Sequence, residues 1–298
     1  MKFGKVENPQ EIDFKIPPDN PQTKTILEST SGDEFHAYIG CAKWNRADLK
    51  GFYPRGTKDE LTYYSRQFNS IELNSLFYGM PKTEQIKKWK DKTPENFKFF
   101  PKITNSISHM RRLKNVEQLT ESYCDAISHF EEKLGMCFLQ LHENFGTKEF
   151  DTLKSFIESF PKAIPLAVEV RSKDWFSDKR MWEKYCALLQ KHRMANIIVD
   201  TAGRRDMMHM QLTSPLAFVR FVGCNVEEID RQRIDDWVKR IAAWKEMGLQ
   251  QLYYFVHQNV ETSSPKFCAY LIEQLNKKLK LNISVPKMAD EISKKSTT

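Results

Sequence analysis

Apolar residues recur along the chain in two periods. Short segments at Tyr38–Cys41, Asn69–Leu73, Lys98–Lys102, Met136–Leu141, Leu166–Val170, Asn196–Asp200, Ala217–Phe221 and Leu252–Val256 predict strands, and several are nearly continuous apolar runs, as expected of parallel strands buried on both faces. Between most of them the apolar positions step by three and four, the spacing of a helix with one buried face. Val116, Leu119, Tyr123, Ile127, Phe130 and Leu134 form one such series; Phe150, Leu153, Ile157 and Phe160 a second; Ile234, Trp237, Ile241 and Trp244 a third. Thr57 and Glu60 have the spacing of a capping box ahead of Leu61. Ser264 and Pro265 read as a helix N-cap followed by proline in the first turn. No helix is predicted between the sixth and seventh strands. Parallel strands alternating with helices predict an α/β chain, a TIM (β/α)8 barrel of eight strands, over residues 36–285. Pro9, Pro17, Pro18 and Pro21 break longer elements, so residues 1–35 are expected to form an irregular N-terminal arm. Residues 286–298, ending in SKKSTT, are expected to form a polar tail.

One stretch departs from the apolar pattern. In FNSIELNSLFYGMP, Phe68 to Pro81, Ile71 and Leu73 alternate with Glu72 and Asn74. A strand with an acid and an amide side by side on one face needs a cation, donors or a wet cavity to satisfy them. Other expected strands also finish on polar groups. Lys43 and Trp44 follow the first, Lys102 ends the third, and Gln140 and His142 close the fourth. Glu169 and Arg171 close the fifth, Asp200 the sixth, Arg220 the seventh, and His257 and Asn259 the eighth. Catalytic groups of TIM barrels sit at such strand ends. One shared cavity is therefore expected, with Glu72, Lys102, Glu169 and Arg171 in it and Arg220 nearby. The plainer alternative for Glu72 is an internal ion pair with Lys102 or Arg171. Cys41 is expected to be a packed residue rather than a nucleophile, and His109, His129, His192 and His209 to be surface or core residues.

Composition narrows the function classes. The chain has 298 residues, 40% apolar and 29% charged, enough for a core and an ordinary solvated surface. No run approaches the roughly 20 apolar residues of a membrane span. The opening MKFGKVENPQEIDFK has no leader pattern. Six scattered cysteines without a C-x-x-C pair are read as reduced thiols of a cytoplasmic protein. There is no G-x-G-x-x-G and no G-x-x-x-x-G-K-[ST], so nicotinamide, flavin and nucleotide-hydrolase readings lack support. No cofactor is expected. A metal is not expected either, because Lys102, Arg171 and Arg220 would share its cavity and repel it. The net charge of +7 permits a phosphate-bearing partner without requiring one.

The ELNSLFYGMP stretch resembles the E-x-N-x-x-F-Y-x-x-P signature of the domain of unknown function 72 family (YecE-like proteins). YIGCAKW, GFYP, FKFFPK, FLQL, AVEVR, FVRFVG and YYFVHQN agree with it in order, from about Tyr38 to about Leu275. The resemblance implies a TIM-barrel fold and no particular activity. The chain departs from the family pattern in three places: Ser172 follows Arg171 where His is usual, Arg220-Phe221-Val222-Gly223 lacks the usual His, and His142 stands where Pro is expected.

Two functions follow as expectations. The first is a hydrolase- or lyase-like enzyme acting on a small or polymeric anionic substrate carrying phosphate or carboxylate. Glu72, Glu169 and Asp200 would be its catalytic groups. Asn74, Lys102, Gln140, Arg171, Arg220, Trp44, Tyr78 and His257 would bind substrate. The alternative is a nucleic-acid-binding or endonuclease-like barrel, suggested by the basic runs IKKWKDK and MRRLK. No membrane partner is expected and no oligomeric state is assigned.

Overall fold

In the computed structural model, residues 4–29 and 34–289 are described; the expected SKKSTT end lies outside them. All eight segments form strands: β1 His36–Cys41, β2 Ser70–Leu73, β3 Lys98–Pro101, β4 Cys137–Gln140, β5 Leu166–Glu169, β6 Ala195–Asp200, β7 Leu216–Gly223 and β8 Gln251–Gln258. Six of them form one curled, parallel half-barrel sheet in the order β1-β8-β7-β6-β5-β4, and β2 pairs in parallel with β3. The expected single eight-stranded ladder is thus six strands plus two.

The two seams between the sheets explain the difference. Between β1 and β2, side chains replace backbone partners. Asn69 Nδ2 donates to the Ala37 carbonyl at 2.8 Å, and Ile39 N donates to Asn69 Oδ1 at 2.9 Å. The Tyr64 hydroxyl accepts from Cys41 N and donates to the Ser70 carbonyl. Gly40 lies so close to this seam that a Cβ would stand 2.2 Å from the Ser70 carbonyl oxygen. Between β3 and β4 only isolated bridges form, Phe99 with Leu134 and Lys102 with Phe138.

The two-residue period sends alternate side chains to opposite faces. Phe99, Leu139, Val168, Ile198, Val219 and Tyr254 face the helices. Phe100, Phe138, Ile197, Phe218, Tyr253 and Phe255 pack together on the inner face. Phe100 lies 4.6 Å from Tyr253 and 4.8 Å from Phe255 between ring centroids, so aromatic rings fill the inner space. Polar groups can be buried at the strand ends above that plug only if they satisfy one another.

The helices are α1 Pro21–Glu28, α2 Glu60–Gln67, α3 Thr83–Asp91, α4 Glu117–Ser128, α5 Phe150–Ser159, α6 Asp174–Ser177, α7 Lys179–Lys191, α8 Glu227–Glu246 and α9 Ser264–Leu279. Three differ from expectation. The cap of α2 is Asp59, whose side chain accepts from Thr62 N at 2.8 Å, in place of Thr57. The Val116–Leu134 series breaks after α4, where Glu131 takes a left-handed φ of 52°. The arm is also not wholly irregular, because it contains α1. Pro21 is a helix starter here, at N1, with the Asn20 side chain accepting from Gln22 N. Thr23 and Leu27 of α1 are buried, and Thr23 Oγ1 donates to the Met210 carbonyl. Between β6 and β7 there is only a 3-10 turn, Arg205–Met207, as expected. No described helix is long and apolar enough to cross a membrane.

Candidate functional site

Arg220 organises the inner ends of the strands. Its alternation within β7 sets it on the inner face with Phe218 and Val222. Its guanidinium forks onto Glu72 of β2, Nε to Oε2 at 2.8 Å and Nη2 to Oε1 at 2.8 Å, while Nη1 reaches Glu169 Oε2 at 2.6 Å. Two strands 51 and 148 residues away in sequence are thereby tied to one cation. Glu72 also takes Asn74 Nδ2 at 2.7 Å and stands 3.0 Å from His257 Nε2. Glu169 also takes Arg171 Nε at 2.6 Å and Gln140 Nε2 at 3.0 Å. Burial alone would push both carboxyls up. Arg220, together with His257, instead holds Glu72 well below the carboxylate range. Arg220 and Arg171 hold Glu169 at about 2. The same two acids raise Arg220 above the ordinary guanidinium value against its burial.

Lys102 enters this layer differently. It follows β3, is 7% exposed, and donates to the Gln140 side-chain carbonyl at 2.8 Å. Its Nζ stands 4.0 Å from the centroid of the Phe77 ring. Among the described residues it has no carboxylate within ion-pair distance. Burial, Arg220 and Arg171 pull its ammonium down to about 7. Arg171, with a side chain 13% exposed, and the partly buried Asn74 are where the layer meets solvent.

The expected residues divide. Glu72, Asn74, Lys102, Gln140, Glu169, Arg171, Arg220 and His257 come together as one connected set. Asp200 does not join them, which corrects the expectation. It is in step with Asn196 and Ile198, and so faces the helices, while Val199 points inward. There it pairs with Arg205 and Arg233 and accepts from Trp237 Nε1 at 2.8 Å. Tyr78 stands outside the buried set. It is 80% exposed and packs edge-on against Phe77, which is the aromatic neighbour of Lys102. Trp44 lines a cavity of about 320 Å³ with Ala42, Asn74 and Glu72, but its ring packs edge-on to Trp89 of α3.

Other residues escape sequence reasoning. His109 lies on a π-turn, Ser106–Met110, with its ring 4.9 Å from Phe77 and 5.3 Å from His142. Burial and then Lys102 pull it down to about 4. Glu261 stands 4.0 Å behind His257 Nδ1 and accepts from Ser264 Oγ. Neither has a spacing signal, because each sits on a short turn between strand and helix. Cys41 is buried beside Cys268 on the helix side, and burial pushes its thiol well up. Among the described residues no group of three His, Cys, Asp or Glu side chains gathers to hold a metal. Both inner carboxylates are instead taken by guanidiniums.

Residues 38–290 match the family described as protein of unknown function DUF72. The YecE protein of Escherichia coli K12, designated UPF0759, is 26% identical over 277 residues, 86% of this chain and 98% of that protein. The UPF0759 protein YunF of Bacillus subtilis is 27% identical over 149 residues, 47% of this chain and 52% of that protein. Two solved structures share the fold. A DUF72 family protein of Enterococcus faecalis V583 superposes with TM-score 0.65 at 19% identity, over 85% of this chain and 98% of that one. One of Thermotoga maritima gives TM-score 0.60 at 23% identity, over 82% and 99%.

Proposed function

Since the chain belongs to the DUF72 family, whose description assigns no reaction, we propose that it is a barrel enzyme performing acid/base chemistry on a small anionic substrate at the inner strand ends. The closed (β/α)8 barrel is part of this proposal, supported by the Asn69 and Tyr64 bonds across one seam and the isolated bridges across the other. The observation that carries the function is the charge of the buried layer. Two carboxylates, Glu72 and Glu169, bond directly to Arg220 and Arg171, a third cation, Lys102, has a neutral amide as its partner, and the remaining acid, Glu261, stands off behind His257. A phosphate or carboxylate supplies the missing charge. Lys102, at about 7, is the group matched to proton transfer near neutrality, where catalytic acids and bases are most effective. Glu169, held at about 2, is a weak base there and acts instead by orienting Arg220, Arg171 and Gln140. The six unpaired thiols support a cytoplasmic setting.

The nucleic-acid alternative has less behind it. In the basic run IKKWKDK, Lys90 pairs with Glu131 and Lys92 with Asp59; in MRRLK, Arg112 pairs with Glu149.

Melting temperature against phosphate concentration tests the reading. A shift that saturates in the millimolar range, larger below neutral pH than well above it, and weakened in Arg171→Ala, is expected. A shift that only grows linearly with salt, as surface exclusion of phosphate produces, overturns it.

A further inference from the structure

We propose that Lys102 Nζ is a covalent centre, an amine nucleophile that condenses with the carbonyl carbon of an aldehyde or ketone bearing a carboxylate or phosphate. This rests on the anion site proposed above and names the substrate class for it.

The geometry separates Lys102 from a structural lysine. A buried ammonium normally takes a carboxylate, but here both carboxylates are already engaged. Glu72 is held by Arg220, Asn74 and His257; Glu169 is held by Arg220, Arg171 and Gln140. Gln140 Nε2 is used on Glu169, so its Oε1 is the atom turned to Lys102. An amide oxygen accepts one N–H and leaves the lone pair of a neutral amine unengaged. The Phe77 ring forms an apolar wall 4.0 Å from Nζ. Lys133 is the contrast. It is 6% exposed, yet its Nζ donates to two backbone carbonyls, of Lys90 at 2.7 Å and Thr93 at 2.6 Å, which tie it to the chain on both sides. Lys102 also titrates at about 7, so about half of its amine is free at neutral pH, against roughly one part in a few thousand for an ordinary lysine.

The step balances without an oxidant or reductant. The ammonium releases one proton, and the nitrogen lone pair adds to the carbonyl carbon as the C=O π pair moves to oxygen. One N–H proton passes to that oxygen, giving a carbinolamine. The nitrogen lone pair then expels the hydroxyl, which leaves as water with the proton first released. Ammonium and carbonyl become iminium and water. The new cationic nitrogen stays in the layer where Lys102 stood, and the substrate's anionic group offsets the excess positive charge.

The experiment uses the wild-type protein with pyruvate and, separately, with propanal, each with cyanoborohydride at neutral pH, followed by peptide mapping. Trapping at Lys102 roughly ten-fold or more ahead of any other lysine is expected, with pyruvate ahead of propanal. Equal trapping by the two probes keeps the amine inference and overturns the anion site. Labelling spread over surface lysines with Lys102 spared overturns the inference, even where the saturable phosphate shift persists and the anion site stands.

Discussion

Arg220 and Arg233 are both fully buried arginines that each bind two carboxylates, but they lie on opposite faces of the sheet. Arg233 of α8 joins Asp200 at 2.9 Å and Asp230 at 2.9 Å, and donates to the carbonyls of Asp200 and Val222. The Phe14 and Phe221 ring centroids lie 4.5 and 4.2 Å from its guanidinium carbon, and of its three side-chain nitrogens Nε has no hydrogen-bond partner among the described residues. Arg205 supplies a second cation to Asp200, so two acids meet two cations. Asp230 also takes the backbone N–H groups of Cys224 and Asn225 and the amide of Gln258. That assembly is neutral and tied to backbone, between α8 and the arm. The Arg220 assembly has a third cation, Lys102, hydrogen-bonded to an amide instead of a carboxylate. The first is a strut that fastens a helix to strand ends; the second has an excess of positive charge among its bonded groups. A buried arginine between two acids therefore says nothing of function until its neighbours' charges are counted.

The largest effect separates the two. Arg220→Ala and Arg233→Ala should each destabilise by about 3–5 kcal/mol, because each strands two buried carboxylates. Denaturant titration measures this. Only Arg220→Ala should also abolish the saturable phosphate shift. A loss of that shift in a folded Arg233→Ala protein would break the distinction between strut and site.

A smaller effect, opposite in sign, comes from Lys102. Its folded value of about 7 lies below its ordinary 10.5, so the buried ammonium opposes folding below pH 7, and stability is recovered as pH rises from 7 toward 10.5. Glu169 runs the other way: its contribution is full above 4.5 and is lost as pH falls through about 2. Lys102→Met should thus raise stability by about 1–3 kcal/mol near pH 6, flatten the alkaline rise, and leave the acid limb in place. A Lys102→Met protein less stable than wild type near pH 6 would mean that the ammonium has a partner holding it charged.

Much of this comparison was legible in the sequence, and the reasons differ by residue. Most strands were legible because parallel strands covered on both faces read as apolar runs; β2 was legible by the alternation of Ile71 and Leu73 with Glu72 and Asn74. Glu72, Lys102, Gln140, Glu169 and Arg220 were legible because polar residues interrupt those runs where strands finish. Asp200 misled because only its place at a strand end was weighed. Counting by two from Ile198 would have put it on the helix face. The choice of partner was not legible: Arg220 and Glu72 are 148 residues apart, and no local spacing tells Arg220 from Lys102 or Arg171 as the holder of Glu72. The arm hid α1 because Pro21 was read as a breaker, although proline at N1 starts helices.

The smallest effect tests the edge of the site. Phe77 and Tyr78 are adjacent on a 3-10 turn, Asn74–Tyr78, and the turn gives them different surroundings. Phe77 faces Lys102 Nζ at 4.0 Å; Tyr78 is 80% exposed. Leucine at either position keeps apolar bulk and removes the aromatic quadrupole. An aromatic face attracts an ammonium by about 0.5–1 kcal/mol, and more where water is excluded. Phe77→Leu should therefore lower Lys102 further, by roughly half a pH unit, with little change in stability. Tyr78→Leu should leave the titration unmoved and change stability by no more than about 0.5 kcal/mol. The pH dependence of amine labelling at Lys102 measures both. If Tyr78→Leu moves the midpoint as much as Phe77→Leu does, the exposed ring closes over the site in solution, and the boundary between wall and rim lies one residue further along the turn.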